Sequence, residues 1–117
     1  MKIVIEGELT DFNTFQDKTR WNKYSGSNLK KSETERVFWC CKKQPQEPVK
    51  FYPVYISFNW YSPNNKKDTD NVAFAKKFIL DGLVMAGLLK GDGRKYVAGF
   101  SDNFYIDKEN PRCEVTI

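Results

Sequence analysis

The sequence predicts an α+β domain over residues 1–117, with two helices packed on a mixed or antiparallel sheet. Three observations predict it. Phe51 to Tyr61 alternates strictly: Val54, Ile56, Phe58 and Trp60 fall on one side, and Tyr55, Ser57, Asn59 and Tyr61 on the other. That is the period of a half-buried strand. From Asn71 to about Leu89, Val72, Ala75, Ile79, Leu83 and Ala86 recur at helical spacing, with Phe74, Phe78 and Met85 widening the stripe. Shorter strand-like runs stand near both ends, and 117 residues suffice to bury a core without staples.

Taken in order, Lys2 to Glu6 reads as a strand with Ile3 and Ile5 on one face, ended by Gly7. Thr10 to Lys31 has no clean period. It is polar, and Trp21 and Tyr24 stand among Arg20, Lys23, Lys30 and Lys31, so it reads either as aromatics stacking on nucleic acid or as a buried Trp21 beside solvated bases. Ser32, with Glu35 three residues on, forms a capping box that opens a short helix carrying Val37, Phe38 and Cys41, closed by Pro45. Gln44 to Lys50 is a connection. After the alternating strand, Ser62, Pro63, Asn64 and Asn65 break the chain and lead into the long helix. Lys95 to Ile106 and Glu114 to Ile117 are closing strands, with a turn at Lys108, Glu109, Asn110 and Pro111.

Composition excludes several chemistries. With no histidine there is no Ser-His or Cys-His pair and no histidine base, and three cysteines cannot complete an all-cysteine zinc site. Cys40, Cys41 and Cys113 form no CxxC and read as reduced structural thiols. The glycines at 87, 91 and 93 match neither the dinucleotide nor the Walker pattern, so no nucleotide cofactor is expected. MKIVIEG lacks the apolar run of a signal peptide and no later run has the length of a membrane span, which predicts a cytoplasmic protein with no membrane partner. The net charge of +4 is uneven: Lys18 to Lys50 holds nine bases against three acids. Such a segment suits an anionic polymer; a solvated surface is the plainer reading.

The chemistry-bearing stretch is Lys66 to Asp92. Asp-x-Asp in an extended segment points both carboxylates, Asp68 and Asp70, to one side, and Asp92 lies in a Gly-Asp-Gly turn that can bring it back toward the helix start. Three converging carboxylates call for a cation, and hard oxygen donors suit Mg2+, with Mn2+ also accommodated. Lys76 or Lys77 would stabilise charge on a phosphoryl group. The plainer reading makes Asp70 and Asn71 helix caps. A calcium loop fails, because Val72, Ala73 and Ile79 stand where it needs an acid or amide, a glycine and a glutamate.

Asp68-Thr69-Asp70-Asn71, a lysine in the following helix, Asp81-Gly82-Leu83 with Ala86-Gly87, then Asp92 and a closing strand together resemble the RusA family of Holliday-junction resolvases. The match covers roughly the second half of the chain. The resemblance implies a homodimeric, magnesium-dependent endodeoxyribonuclease that cuts four-way DNA junctions at paired symmetric positions. Asp68, Asp70 and Asp92 would be its metal ligands. About three extra residues separate the acidic pair from the helix core relative to the family. Counting back from Asp81 selects Lys77 over Lys76, and seven residues from Asp70 is close to two turns of an ideal helix. Gly91 stands where the family often has another acid. Lys66 and Lys67, with Arg20, Lys23, Lys30 and Lys31, would hold DNA phosphates without reading sequence. The alternatives are a non-catalytic basic nucleic-acid-binding module, and a nuclease for other branched DNA such as flaps or forks.

Overall fold

The computed structural model describes every residue, Met1–Ile117. In chain order the elements are β1 (Lys2–Glu6), α1 (Phe12–Trp21), α2 (Lys23–Lys43), β2 (Val54–Ser62), α3 (Thr69–Ala73), α4 (Lys76–Met85), β3 (Val97–Ile106) and β4 (Arg112–Thr116). They form a mixed sheet in the order β1-β4-β2-β3. β4 lies antiparallel between β1 and β2, while β2 and β3 run parallel and are joined by the α3–α4 crossover that parallel neighbours require. The α+β class and the mixed sheet are as the sequence predicts.

The alternation sets the layers. Ile3 and Ile5 of β1, Cys113 and Val115 of β4, and Ile56, Phe58 and Trp60 of β2 are all buried on one face. α2 and α4 supply the other half of this core through Val37, Cys41, Phe78, Ile79 and Leu83. Fully burying a side chain such as Phe58 or Leu83 contributes about 1.5–3 kcal/mol, so these few residues dominate the folding energy. The opposite face carries polar side chains: Glu114 pairs with Lys2 and Arg112, and Ser57 and Ser101 share a hydrogen bond.

Helix content exceeds the expectation in one region and falls short in another. The stretch from Thr10 to Lys31, which shows no clean period, forms α1 and the first part of α2. Ser32 and Glu35 lie inside α2, so they are no capping box: α2 begins at Asn22, whose Oδ1 accepts from the Tyr24 amide. Lacking a clean apolar stripe, α1 has no fully buried residue, and it holds its place through Phe12 and Phe15 packed on Phe74. The long helix expected to Leu89 is interrupted at Phe74–Ala75 and stops at Met85. A Schellman motif stops it: Gly87 takes φ +77°, its amide donates to the Val84 carbonyl, and the Leu88 amide donates to that of Leu83. Met85 stays exposed, while Ala75, Phe78, Ile79 and Leu83 are buried as the stripe requires.

α2 and α4 cross where Gly82 is flush against Val37. A methyl group at Gly82 would overlap the Val37 side chain and approach the Thr34 carbonyl oxygen at 3.2 Å. Gly82→Ala therefore forces the helices apart despite its higher helix propensity, and urea unfolding is expected to show a loss of about 1–3 kcal/mol. A gain in stability would show that this crossing is loose.

Candidate functional site

β2 and β3 run parallel, and their carboxyl ends, Ser62 and Ile106, stand side by side. In open α/β sheets ligands collect at such ends. Here an open groove of about 510 Å³ is lined by residues that include Ser62, Asn64, Asn65, Lys67, Asp68 and Asp70 together with Phe104, Tyr105 and Ile106. Asp68 is the N-cap residue of α3 with extended backbone, yet its side chain makes no capping bond, and Asp70 follows in the first turn. The only hydrogen bond to the Asp70 side chain comes from the Asn71 amide at 2.9 Å. Neither acid forms an ion pair, although lysines neighbour them in the chain. Both carboxylates are exposed and line one groove, but not by the extended geometry that the Asp-x-Asp spacing assumes, since Asp70 lies in the first turn of α3.

Asp92 is placed elsewhere. The segment after α4 folds back along the helix, as the Gly-Asp-Gly turn predicts, and Asp92 meets Lys77 at 3.1 Å. The fold-back uses no left-handed glycine at 91 or 93; Gly91 is needed because a Cβ there would fall 2.7 Å from the Tyr96 ring. Lys77 also holds Asp81 at 3.1 Å, one turn along α4. Bonds from Asp81 and then Asp92 raise the Lys77 pKa, and the Lys77 ammonium holds the Asp92 carboxyl below its ordinary value. No three acids or thiols stand close enough to share one ion. The acids thus form two sets, Asp68 with Asp70 on the groove, and Asp92 with Asp81 around Lys77.

The ideal-helix count from Asp70 to Lys77 does not hold, because the chain tightens between α3 and α4. The amides of Ala75, Lys77 and Phe78 donate to the carbonyls of Val72, Phe74 and Ala75, each three residues back. Lys76 is turned toward the sheet. Its Nζ sits 2.7 Å from Asp102 and 4.5 Å and 5.2 Å from the ring centres of Phe100 and Phe58, with the side chain only 19% exposed. Trp60 Nε1 donates to the other Asp102 oxygen at 2.9 Å. Lys76 is thus a tie between α4 and β3, and Lys77 the exposed lysine of the two.

The basic residues divide the same way. Lys67 is taken by Asp11 at 3.3 Å and Glu8 at 3.7 Å, and Lys30 lies 3.8 Å from Asp81. Lys66, Arg20, Lys23 and Lys31 are exposed and form no ion pair. Asp11 and Asp102 escaped the sequence reading, and Asp81 entered it only as a marker in the helix and not as a partner of Lys77. Asp11 had a signal in Asp-x-x-Thr, since its Oδ1 caps α1 by accepting from the Thr14 amide. Burial pushes the Asp11 carboxyl up, but bonds from Thr14 and the nearby Lys67 ammonium outweigh it, and the net shift is downward. Asn71, a cap in the plainer sequence reading, caps a different helix: it accepts from the Asn13 amide of α1 and donates to Asp11. Asp102 was signalled by its place in the apolar alternation of Phe100, Phe104 and Ile106.

A depressed Asp92 pKa means that its contribution to stability is present above the ordinary carboxyl value of 3.8 and is lost as pH falls through the lower folded value. Carboxyl carbon shifts followed by NMR should place the Asp92 midpoint below 3.8 and return it toward that value in Lys77→Ala. An unmoved midpoint would show that the pair is not formed in solution. Scanned against models of protein families and searched against curated proteins, the sequence gives no match.

Proposed function

We propose that the protein is a metal-dependent endodeoxyribonuclease acting on branched DNA, with the four-way junction as its substrate. One observation carries the reading: two carboxylates without counter-ions, one residue apart, line a groove at the carboxyl ends of two parallel strands. The resemblance of Asp68-Thr69-Asp70-Asn71 and the residues after it to RusA resolvases supports the same chemistry. The donor set fits Mg2+, which takes one or two carboxylates and completes its shell with water and substrate phosphate; Mn2+ fits the same oxygens. Asp68 and Asp70 would hold it, and Asn64 and Asn65 add amide groups to the same wall. A bound ion would supply Lewis-acid polarisation of the scissile phosphate and a more acidic water.

The chain's own residues do the rest. Lys66, exposed and without an ion pair two residues before Asp68, would attract the phosphate backbone, and Lys77 would do so only by giving up its pairs with Asp81 and Asp92. Lys77 also holds Asp92 in place. The exposed aromatic and aliphatic side chains of Phe104 and Ile106 line the same groove as the acids. β3 is an edge strand whose core-side row of Phe100, Phe104 and Ile106 is left largely exposed, which supports a homodimer that covers this row and presents two sites to a two-fold symmetric junction. No helix is long and apolar enough to cross a membrane, and the three free thiols suit a reducing cytoplasm.

A non-catalytic DNA-binding module is the second reading, favoured by the engagement of Asp92 with Lys77 and Asp81 away from Asp68 and Asp70.

A labelled four-way junction incubated with and without Mg2+ separates the two, cleavage only with the ion being the expected result. Asp70→Asn should abolish cleavage and retain junction binding, because it removes a charge near phosphate and keeps the residue's size. Wild-type cleavage by Asp70→Asn, or no cleavage with Mg2+ or Mn2+, would overturn the nuclease reading. Lys77→Ala should lower the cleavage rate by roughly ten- to a thousand-fold, the usual cost of one charge-stabilising donor. Lys76→Ala should instead lower the urea midpoint, because it leaves a half-buried Asp102 without its cation.

A further inference from the structure

We propose that the corner between α1 and α2 is a stacking site for unpaired nucleobases, so that single-stranded or branch-point DNA is held there in preference to continuous duplex. Trp21 is 87% exposed and Tyr24 62% exposed, three residues apart across the corner. The corner itself is tightly built. Asn22 ends α1 and starts α2: its amide donates to the Lys18 carbonyl and its side chain accepts from the Tyr24 amide. Gly26 lets the helices close, since a Cβ there would fall 2.5 Å from Thr19 Oγ1. A well-packed turn that leaves a tryptophan and a tyrosine outside fixes the backbone from which the two flat side chains project, which limits the backbone entropy lost on stacking.

Charge selects the occupant. Between Asp17 and Tyr24 there are three bases, Lys18, Arg20 and Lys23, against the single acid Asp17. None of the three is spent in an ion pair, and Lys23 lies over the Tyr24 ring at 5.0 Å. Arg20 and Trp21 share an open depression with Asp17. The exposed aromatics of the sheet differ: Tyr105 stacks on Tyr61, and the Arg112 over that ring is neutralised by Asp107 and Glu114. A flat ring with phosphate-seeking bases beside it matches a base on its sugar-phosphate backbone, and duplex cannot offer that face because its bases are stacked on each other. The inference rests on the nucleic-acid reading above but needs neither metal nor cleavage.

The test is binding in EDTA of a fluorescein-labelled oligo-dT and of a blunt duplex of equal length, by the full chain and its variants. Trp21→Ala should weaken oligo-dT binding by about tenfold or more, change duplex binding by less than about twofold, and leave the melting temperature unmoved; Trp21→Phe should restore most of the loss. In a Trp39→Phe background, where Trp21 is the one exposed indole, oligo-dT should quench its fluorescence. Equal losses on both DNAs, no loss on either, or no binding of oligo-dT by the wild type would overturn the proposal. So would a Trp21→Ala protein that changes its sedimentation and not its DNA affinity, since the corner would then be a contact between copies. Wild-type protein that binds oligo-dT through Trp21 but leaves junctions intact with Mg2+ would refute the nuclease and leave the stacking site standing.

Discussion

One constraint shapes the molecule: the apolar row Ile56, Phe58 and Trp60 on β2 must be covered, and the helices cover it from one side only. α4 packs on α2 through Gly82, and together they cap β1, β4 and β2. β3 lies outside that cap, so the residues in register with the buried row, Phe100 and Phe104, remain partly open. The chain closes part of this gap with Lys76, whose stem crosses the edge of the core and whose ammonium ends on Asp102 between two phenyl rings. Trp60 completes the arrangement by satisfying the other oxygen of Asp102. A carboxylate on an apolar face is tolerated because both of its oxygens are bonded.

The same constraint determines which lysine is exposed. Lys76 is drawn inward to complete the cover, and Lys77, one residue on, must then face outward, where the returning segment supplies Asp92. The tightened backbone at Phe74–Ala75 sets this division. Counting from Asp81 and counting along an ideal helix from Asp70 give the same residue number, but the helix between Asp70 and Lys77 is not ideal, and Lys77 meets Asp81 and Asp92 and not Asp68 or Asp70.

Much of this was legible where one physical term acted alone. The strict alternation of β2, the strand at Lys2–Glu6 and the helical stripe through Ala75, Ile79 and Leu83 are each read from burial periodicity, and each is buried as the period demands. α1 and the first half of α2 were illegible because their stabilisation is tertiary and local: an Asp11 cap, an Asn71 side chain from a distant segment, and a Gly26 contact invisible to periodicity. The end of α4 was overrun because Leu88 and Leu89 continue the apolar pattern. Their burial follows a Schellman turn, and Gly87 outweighs the pattern. In the site, adjacency in the chain placed Asp68 beside Asp70, whereas the position of Asp92 depended on how a loop returns, which spacing does not encode.

The acids without ion pairs are Glu6, Asp17, Glu35, Asp68, Asp70 and Glu109, and only Asp68 and Asp70 lie close together in the chain. Exposed carboxylates so placed repel weakly in water, so the pair alone does not require a cation for the protein to fold. The balance changes when a phosphate enters the groove. Water is then displaced, the local dielectric falls, and a third negative group stands beside two that have no counter-charge. Lys67, the nearest lysine in the chain, is occupied by Asp11 and Glu8, so Lys66, which does not line the groove, is the one lysine just before the pair left without an ion pair. On the proposed nuclease reading, an anionic substrate would settle against Asp68 and Asp70 in company with a cation, and metal dependence would then be a property of the bound complex and not of the free fold.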